Sequence, residues 1–205
     1  MDPVEIDISQ WQNREDEGIL FVPKAGEILY RLGQNLIMAL AIVLMGVSGC
    51  GKTSVGKALS AELGWTFYEG DDYHTFADVE KMSKGMPLND EDRAPWLEVL
   101  HDLIAENLQA GENLVLACSA LKMKYRQQLR LGNKGVVFVY LDGDFELIWS
   151  RMQTRNDHFM KPELLKVQFD TLETPSSALN VNIEQPITAI VQEIIEFLEN
   201  EHDLD

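Results

Sequence analysis

One stretch constrains this chain more than any other. Residues Gly46-Val47-Ser48-Gly49-Cys50-Gly51-Lys52-Thr53 fit the pattern GxxxxGK[ST]. A short apolar run from Leu40 to Met45 leads into them, and Val55, Leu59 and Leu63 recur four apart behind them. That arrangement is strand, loop, helix. In such a context the loop's N–H groups wrap a β-phosphate at the positive end of the new helix. Lys52 is then set to bridge β- and γ-oxygens and Thr53 to ligate Mg²⁺. Gly46, Val47, Ser48, Gly49, Cys50, Gly51, Lys52 and Thr53 are therefore the candidate nucleotide-binding residues. A ligand-free, glycine-rich turn entering a helix is the plainer rival, and the flanking strand and helix disfavour it.

At 205 residues the chain is long enough for one domain with a large core, and 45% hydrophobic with 25% charged residues is ordinary for a soluble globular protein. The formal net charge of −17 disfavours nucleic acid or an anionic membrane surface as partner, because both need a basic footprint. It also repels a nucleoside triphosphate, so a local cluster of Lys and Arg has to reverse the sign inside the cleft. The two cysteines, Cys50 in the loop and Cys118 at the end of an expected strand, do not look like a structural pair, which fits a reducing compartment. The first twenty residues lack a signal-peptide pattern, and Leu36 to Val47 is too short to span a bilayer. The expected location is the cytoplasm. Residues 1–38 read as an extension of unknown role, in which Trp11, Phe21 and Tyr30 are docking candidates, and residues 39–205 read as the main domain.

Further along, Gly64 is suited to cap the first helix in a left-handed conformation. A second strand, Trp65 to Tyr68, leads into Glu69-Gly70-Asp71-Asp72-Tyr73-His74. Acids at the carboxyl end of a parallel strand point into a ligand crevice, so Glu69 is a candidate for Mg²⁺, and Asp71, Asp72 and His74 for a hydroxylated substrate. A short helix is expected over Phe76 to Lys84. The next helix is expected to carry Pro95 in its first turn, to bury Trp96, Val99, Leu100, Leu103, Ile104 and Leu108, and to stop at Gly111. Arg93 then lies just before it. A cation there opposes the helix dipole and is better explained by an anionic ligand.

Residues 113–118 read as a central strand, followed by Lys122 and a helix with Tyr125, Arg126, Leu129 and Arg130; Lys122 and Arg126 are one turn apart and are expected on one face. Val136 to Leu141 is a fourth strand, and Asp144 is expected to cap a helix with Phe145, Ile148, Trp149 and Met152 inside. From Arg151 to Lys161 the apolar period is lost and Arg151, Arg155, His158 and Lys161 gather, which suits a lid over phosphates. Pro162 restarts a helix, residues 178–183 form a fifth strand, and Pro186 opens the last helix. Strands and helices alternating at this spacing give an α/β, three-layer parallel sheet of about five strands with its sites at the carboxyl edge.

At this level the chain resembles the gluconate kinases, in the shikimate- and nucleoside-monophosphate-kinase-like branch of phosphate-loop proteins. The matching pieces are Met45 to Gly49 with its Gly-Lys-Thr end, Gly70 to His74, Lys81-Met82, Pro87 to Arg93, Pro95-Trp96-Leu97, Cys118 to Lys122, Tyr125-Arg126, His158-Phe159, Gln168-Phe169 and Thr171-Leu172-Glu173. The resemblance runs from about residue 40 to the end and implies the sheet order 2-3-1-4-5 with a lid near residues 151–161. It further implies ATP-dependent phosphorylation of D-gluconate at its 6-hydroxyl, with ATP and Mg²⁺ bound and a homodimer as the assembly. Arg93 becomes the residue expected at the gluconate carboxylate, with Arg126 or Lys122, and Asp71 the group that positions and deprotonates the hydroxyl. Arg151 is expected against adenine and Arg155 at the phosphates. Family members often carry Asp where Glu69 stands and Pro where Thr75 follows His74, and Asn156-Asp157 puts an extra acid in the lid. The rivals are a kinase of another sugar acid or of shikimate, and a non-catalytic nucleotide-binding module. Cys50, beside phosphate-binding N–H groups and Lys52, is also a candidate for oxidation, although a small residue tolerated in the loop is the simpler account.

Overall fold

The computed structural model describes residues 31–32, 36–37, 39–154 and 162–200. Trp11, Phe21, Tyr30 and the lid residues Arg155, Asn156, Asp157, His158 and Lys161 lie outside the described residues. Five strands form one parallel sheet: β1 (Ala41–Met45), β2 (Thr66–Glu69), β3 (Leu114–Ala117), β4 (Val136–Asp142) and β5 (Leu179–Asn182), in the order β2-β3-β1-β4-β5. This is the order expected from the resemblance. A separate antiparallel pair, Arg31–Leu32 with Leu36–Ile37, precedes it.

The central strand explains the layers. Val43 lies opposite Leu116 of β3 on one side and Phe138 of β4 on the other, so β1 has hydrogen-bonded neighbours along both edges. Its residues Ala41 to Met45 are fully buried. Side chains alternate across a strand, so β1 feeds two cores. Ile42 and Leu44 pack with Val55 and Leu59 of α1 (Lys52–Leu63), Ile148 and Met152 of α5 (Phe145–Gln153), Leu165 of α6 (Pro162–Thr171) and Ile190 and Ile194 of α7 (Ile187–Asn200). Val43 and Met45 pack with Trp96, Leu100 and Ile104 of α3 (Asp90–Gln109) and with Tyr125 and Leu129 of α4 (Met123–Arg130). Helix α2 (Phe76–Ser83) lies after the acidic turn and exposes Phe76 and Val79.

Local signals place most ends. Gly64 caps α1 at φ 70°, its N–H reaching Ser60 O, as expected. Asp144 caps α5, accepting from Leu147 N at 2.7 Å. The start of α3 corrects the sequence expectation. Asn89 and Asp92 form a capping box, with Asp92 N to Asn89 Oδ1 at 2.8 Å and Asn89 N to Asp92 Oδ2 at 2.7 Å, so the helix begins at Asp90. Pro95 is therefore inside the helix, and Arg93 is in it rather than before it. A reciprocal cap satisfies two end donors, and that outweighs the single lost bond at an exposed proline. Val99 is also exposed, while Leu97 takes a buried place. At the lid's start, Arg151 is still helical, in the last turn of α5.

The turn after β2 approaches the sheet so closely that a side chain does not fit. A Cβ on Gly70 would lie 2.4 Å from the Ala117 carbonyl oxygen. Gly70→Ala is expected to lower stability by about 2 kcal/mol or more in urea denaturation, since backbone has to move. An unchanged midpoint would contradict this close packing.

Candidate active site

The carboxyl ends of β1, β2 and β3 meet at one edge. After β1, the glycine loop turns through Gly46 at φ 141°, and a Cβ there would lie 2.9 Å from Cys50 Sγ. Lys52 folds its ammonium back across the loop, donating to Gly46 O at 3.0 Å and Val47 O at 2.9 Å. Ser48 N is held by Gln168 Oε1 of α6 at 2.6 Å, which ties the loop to the helix following the lid segment. Cys50 is 1% exposed, and burial denies an oxidant the access that the redox idea requires. Burial also pushes the Cys118 thiol up to about 12.

Thr53 and Glu69, the two residues expected at the metal, come together across the loop. Thr53 Oγ1 donates to Glu69 Oε2 at 2.6 Å. Glu69 is held above its ordinary value, first by burial and then by repulsion from Asp71 and Asp72, against the pull of Thr53 and Lys52. A carboxylate with excess local negative charge beside a hydroxyl is an oxygen donor set suited to Mg²⁺. Among the described residues no group of three or more His, Cys, Asp or Glu is placed to hold a metal ion. Mg²⁺ takes one or two carboxylates and completes its shell with water and phosphate oxygens.

Residues Gly70–Tyr73 form a 3₁₀ turn that presents Asp71 and Asp72 to solvent. Trp96 secures both ends of it from α3: its indole Nε1 donates to Gly70 O at 2.7 Å, and its ring stacks on His74 with centroids 4.4 Å apart. The His74 side chain is 5% exposed, with Nε2 3.9 Å from Asp71 Oδ1 and Nδ1 3.8 Å from Asp78 Oδ2. His74 thus stands behind Asp71, between two acids.

On the facing side, Lys122 caps α4 and donates to Asp90 Oδ1 at 2.8 Å. Arg126 turns elsewhere: it is buried, and its Nη1 donates to Ala120 O at 3.0 Å and Leu121 O at 3.1 Å. Lys122 and Arg126 therefore reach different partners rather than sharing one face. Arg126 holds a strained loop, since Ala120 sits at φ 43°. Glu173, just past α6, supports the same loop by donating N–H to Leu121 O at 2.9 Å and accepting from Met123 N at 2.6 Å. The Arg93 guanidinium lies 5.9 Å from the Tyr125 ring centre. Among the described residues no carboxylate is paired with it. Arg151 Nη2 donates to Ile183 O at 2.8 Å, beyond β5.

Gln168, Glu173, Asp90 and Trp96 were not among the expected site residues. Asp90 and Arg93 are three apart at a helix start, a spacing that puts both on one side. Gln168 and Glu173 stand in pieces that carry the family resemblance, but no local pattern pairs them with Ser48 and Met123, which are distant in sequence.

A central strand running into a glycine loop and lysine, flanked by a hydroxyl–carboxylate pair, in the strand order found here, defines a phosphate-loop kinase. A family model described as shikimate kinase matches residues 48–199. The gluconokinase of Gluconobacter oxydans is 45% identical over 163 residues, spanning 78% of this chain and 92% of that protein. The thermoresistant gluconokinase of Escherichia coli (strain K12) is 42% identical over 160 residues, 76% of this chain and 91% of that protein. A crystal structure of a gluconokinase from Sinorhizobium meliloti 1021 superposes with a TM-score of 0.73 at 40% identity, covering 81% of this chain and 95% of that one. The chain belongs to the gluconokinase family, within the shikimate kinase group.

His74 also gives a test by pH. Burial first, then Arg93, holds it below its ordinary 6.5, while Asp71 and Asp78 pull upward. The unfolded chain then takes the proton first as pH falls, so this group costs folded-state stability below about pH 6.5. His101 is raised, first by its bond to Asp102 and then by the Leu131 carbonyl, and contributes the opposite slope in both proteins of a comparison. The stability advantage of wild type over His74→Gln in denaturant melts is expected to shrink between about pH 7.5 and 5.5. A constant difference would mean that His74 keeps its ordinary titration.

Proposed function

We propose that this chain transfers the γ-phosphoryl group of ATP to the 6-hydroxyl of D-gluconate, giving 6-phospho-D-gluconate and ADP. ATP-dependent gluconate phosphorylation is the activity of the family to which the chain belongs. The observation that carries the acceptor assignment is Arg93, a half-buried cation without a carboxylate partner among the described residues, whose charge acts on His74 together with that of Asp71. A small anionic polyol needs one cation for its carboxylate and acids for its hydroxyls.

Phosphoryl transfer runs through a loose transition state, so alignment and charge neutralisation matter more than proton removal. Lys52 leaves the Gly46 and Val47 carbonyls for the β- and γ-oxygens. Asp71, backed by His74 and Trp96, holds and deprotonates the attacking hydroxyl, with Asp72 at a neighbouring hydroxyl. Arg93 fixes the opposite, carboxylate end. Thr53 and Glu69 would hold Mg²⁺, Glu69 through water, which supplies charge neutralisation between the phosphates. Arg151 borders adenine and Arg155 is assigned to the phosphates. Arg126 acts by shaping the acceptor loop, and Lys122 by lining it. Residues 39–205 are taken as the catalytic domain. A cytoplasmic homodimer completes the reading; among the described residues no helix is long and apolar enough to cross a membrane.

In a coupled ADP-release assay, gluconate is expected to outperform other sugar acids and shikimate; turnover of another acceptor with silence on gluconate would overturn the assignment. Lys52→Ala is expected to lose about 100-fold or more in kcat while remaining folded, whereas a non-catalytic nucleotide module has no turnover to lose. Arg93→Ala is expected to raise the KM for gluconate about tenfold or more and leave the KM for ATP within about twofold. Equal effects on both substrates would remove Arg93 from the carboxylate.

A further inference from the structure

Asp90 gathers more donors than any other carboxylate described. Its Oδ1 accepts from Lys122 Nζ at 2.8 Å and, in a shorter contact, from the Tyr125 hydroxyl, and its Oδ2 accepts from Lys124 Nζ at 2.6 Å. These partners hold its carboxyl well below the usual range, with Lys122 first, then Lys124 and Tyr125, so it is ionised wherever the enzyme works. Capping does not explain it. Asn89 and Asp92 complete the cap of α3 between themselves, and Asp92 is further tied to Lys81. The two ion pairs are partly exposed, so stability alone is a weak reason for them.

The surroundings supply a reason. Arg93, Lys122 and Lys124 all lie within 6 Å of the Tyr125 ring centre, at 5.9, 5.7 and 5.8 Å. Asp90 is one helical turn before Arg93, on the same side of α3. It engages both lysines and leaves the arginine. Around Tyr125 the four groups therefore carry a net charge of about +2 instead of the +3 that the cations alone would give, and only the guanidinium is left without a carboxylate among the described residues.

We propose that Asp90 is a specificity-determining residue: by engaging Lys122 and Lys124 it lowers the positive charge offered to the acceptor's anionic head group, and so weakens a doubly charged head group more than a singly charged one. This rests on the reading of Arg93 as the carboxylate site. Specificity is a difference of affinities, and an acid placed against a second negative charge provides the repulsive part. Releasing two lysines then rewards the second charge of a phosphate more than it rewards a carboxylate.

The test compares gluconate with D-glucitol 6-phosphate, a linear polyol of similar length whose head is a phosphate dianion. Wild type is expected to bind it far more weakly than gluconate, measured as a competitive Ki against gluconate. In Asp90→Asn the ratio of that Ki to the KM for gluconate is expected to fall about tenfold or more, a modest shift for charges at this separation. Asp90→Glu, which restores the charge, is expected to keep the wild-type ratio. Adding Lys124→Ala to Asp90→Asn is expected to reverse part of the gain. The proposal is overturned if Asp90→Asn changes both constants by the same factor, which is what a purely structural role predicts, or if Asp90→Glu behaves like Asp90→Asn. If Asp90→Asn does not fold, Lys124→Ala in the wild-type background decides: with Asp90 retained and one cation removed, the ratio is expected to rise about threefold or more, and an unchanged ratio overturns the proposal. Wild-type turnover of gluconate, with the Arg93→Ala effect on its KM, tests the underlying reading separately.

Discussion

Parallel pairing of β1 along both of its edges is the constraint on which the rest of this structure depends. Because Ala41–Met45 sits between β3 and β4 in parallel register, the chain leaves the sheet at one edge after β1, β2 and β3. The glycine loop, the acidic turn and the Ser119–Lys122 loop are thereby neighbours without being adjacent in sequence. A one-residue slip would exchange the two cores, since Ile42 and Leu44 face one helical layer and Val43 and Met45 the other. Five apolar side chains that face two different cores in turn thus secure the positions of the polar ones.

Charge is then arranged locally against the global field. A chain with a formal net charge of −17 has to hold anionic phosphates and, on the proposed reading, an anionic acceptor. Lys52 lies across the glycine loop, Arg93, Lys122 and Lys124 gather around Tyr125, and the acids near them have specific neighbours. Glu69 sits on Thr53, and Asp90 sits on two lysines and a tyrosine. Trp96 links packing to this electrostatics, since one buried ring anchors Gly70 by its N–H and backs His74 by stacking. The strained Ala120 backbone is held from two directions, by Arg126 and by Glu173 through Leu121.

Much of this was legible in the chain before any coordinates. The strand–loop–helix around Lys52 follows from period and glycine placement, and the acidic turn after β2 follows from acids at a strand end. The start of α3 misleads, because the proline signal is local and strong while the Asn89–Asp92 box that decides the start begins six residues before Pro95. The destination of Arg126 was not legible, since a buried arginine facing carbonyls and a crevice arginine facing a carboxylate share the same spacing from Lys122. Gln168 touches Ser48 across 120 positions, and no window of sequence carries that pairing. Long-range hydrogen bonds of this kind come from the fold, so residue type marks the candidates and topology assigns their partners.

The central claim is that the two halves of the crevice align the C6 hydroxyl of gluconate with the γ-phosphoryl group of ATP. The most direct measurement is carbon–phosphorus coupling in the NMR spectrum of the product made from ATP and uniformly ¹³C-labelled gluconate. With Arg93 at the carboxylate and Asp71 at the hydroxyl, as proposed, the product is a phosphoester coupled to C6 and to its neighbour C5 alone. A phosphoester centred on any other carbon, or ADP formed with only inorganic phosphate, would contradict it.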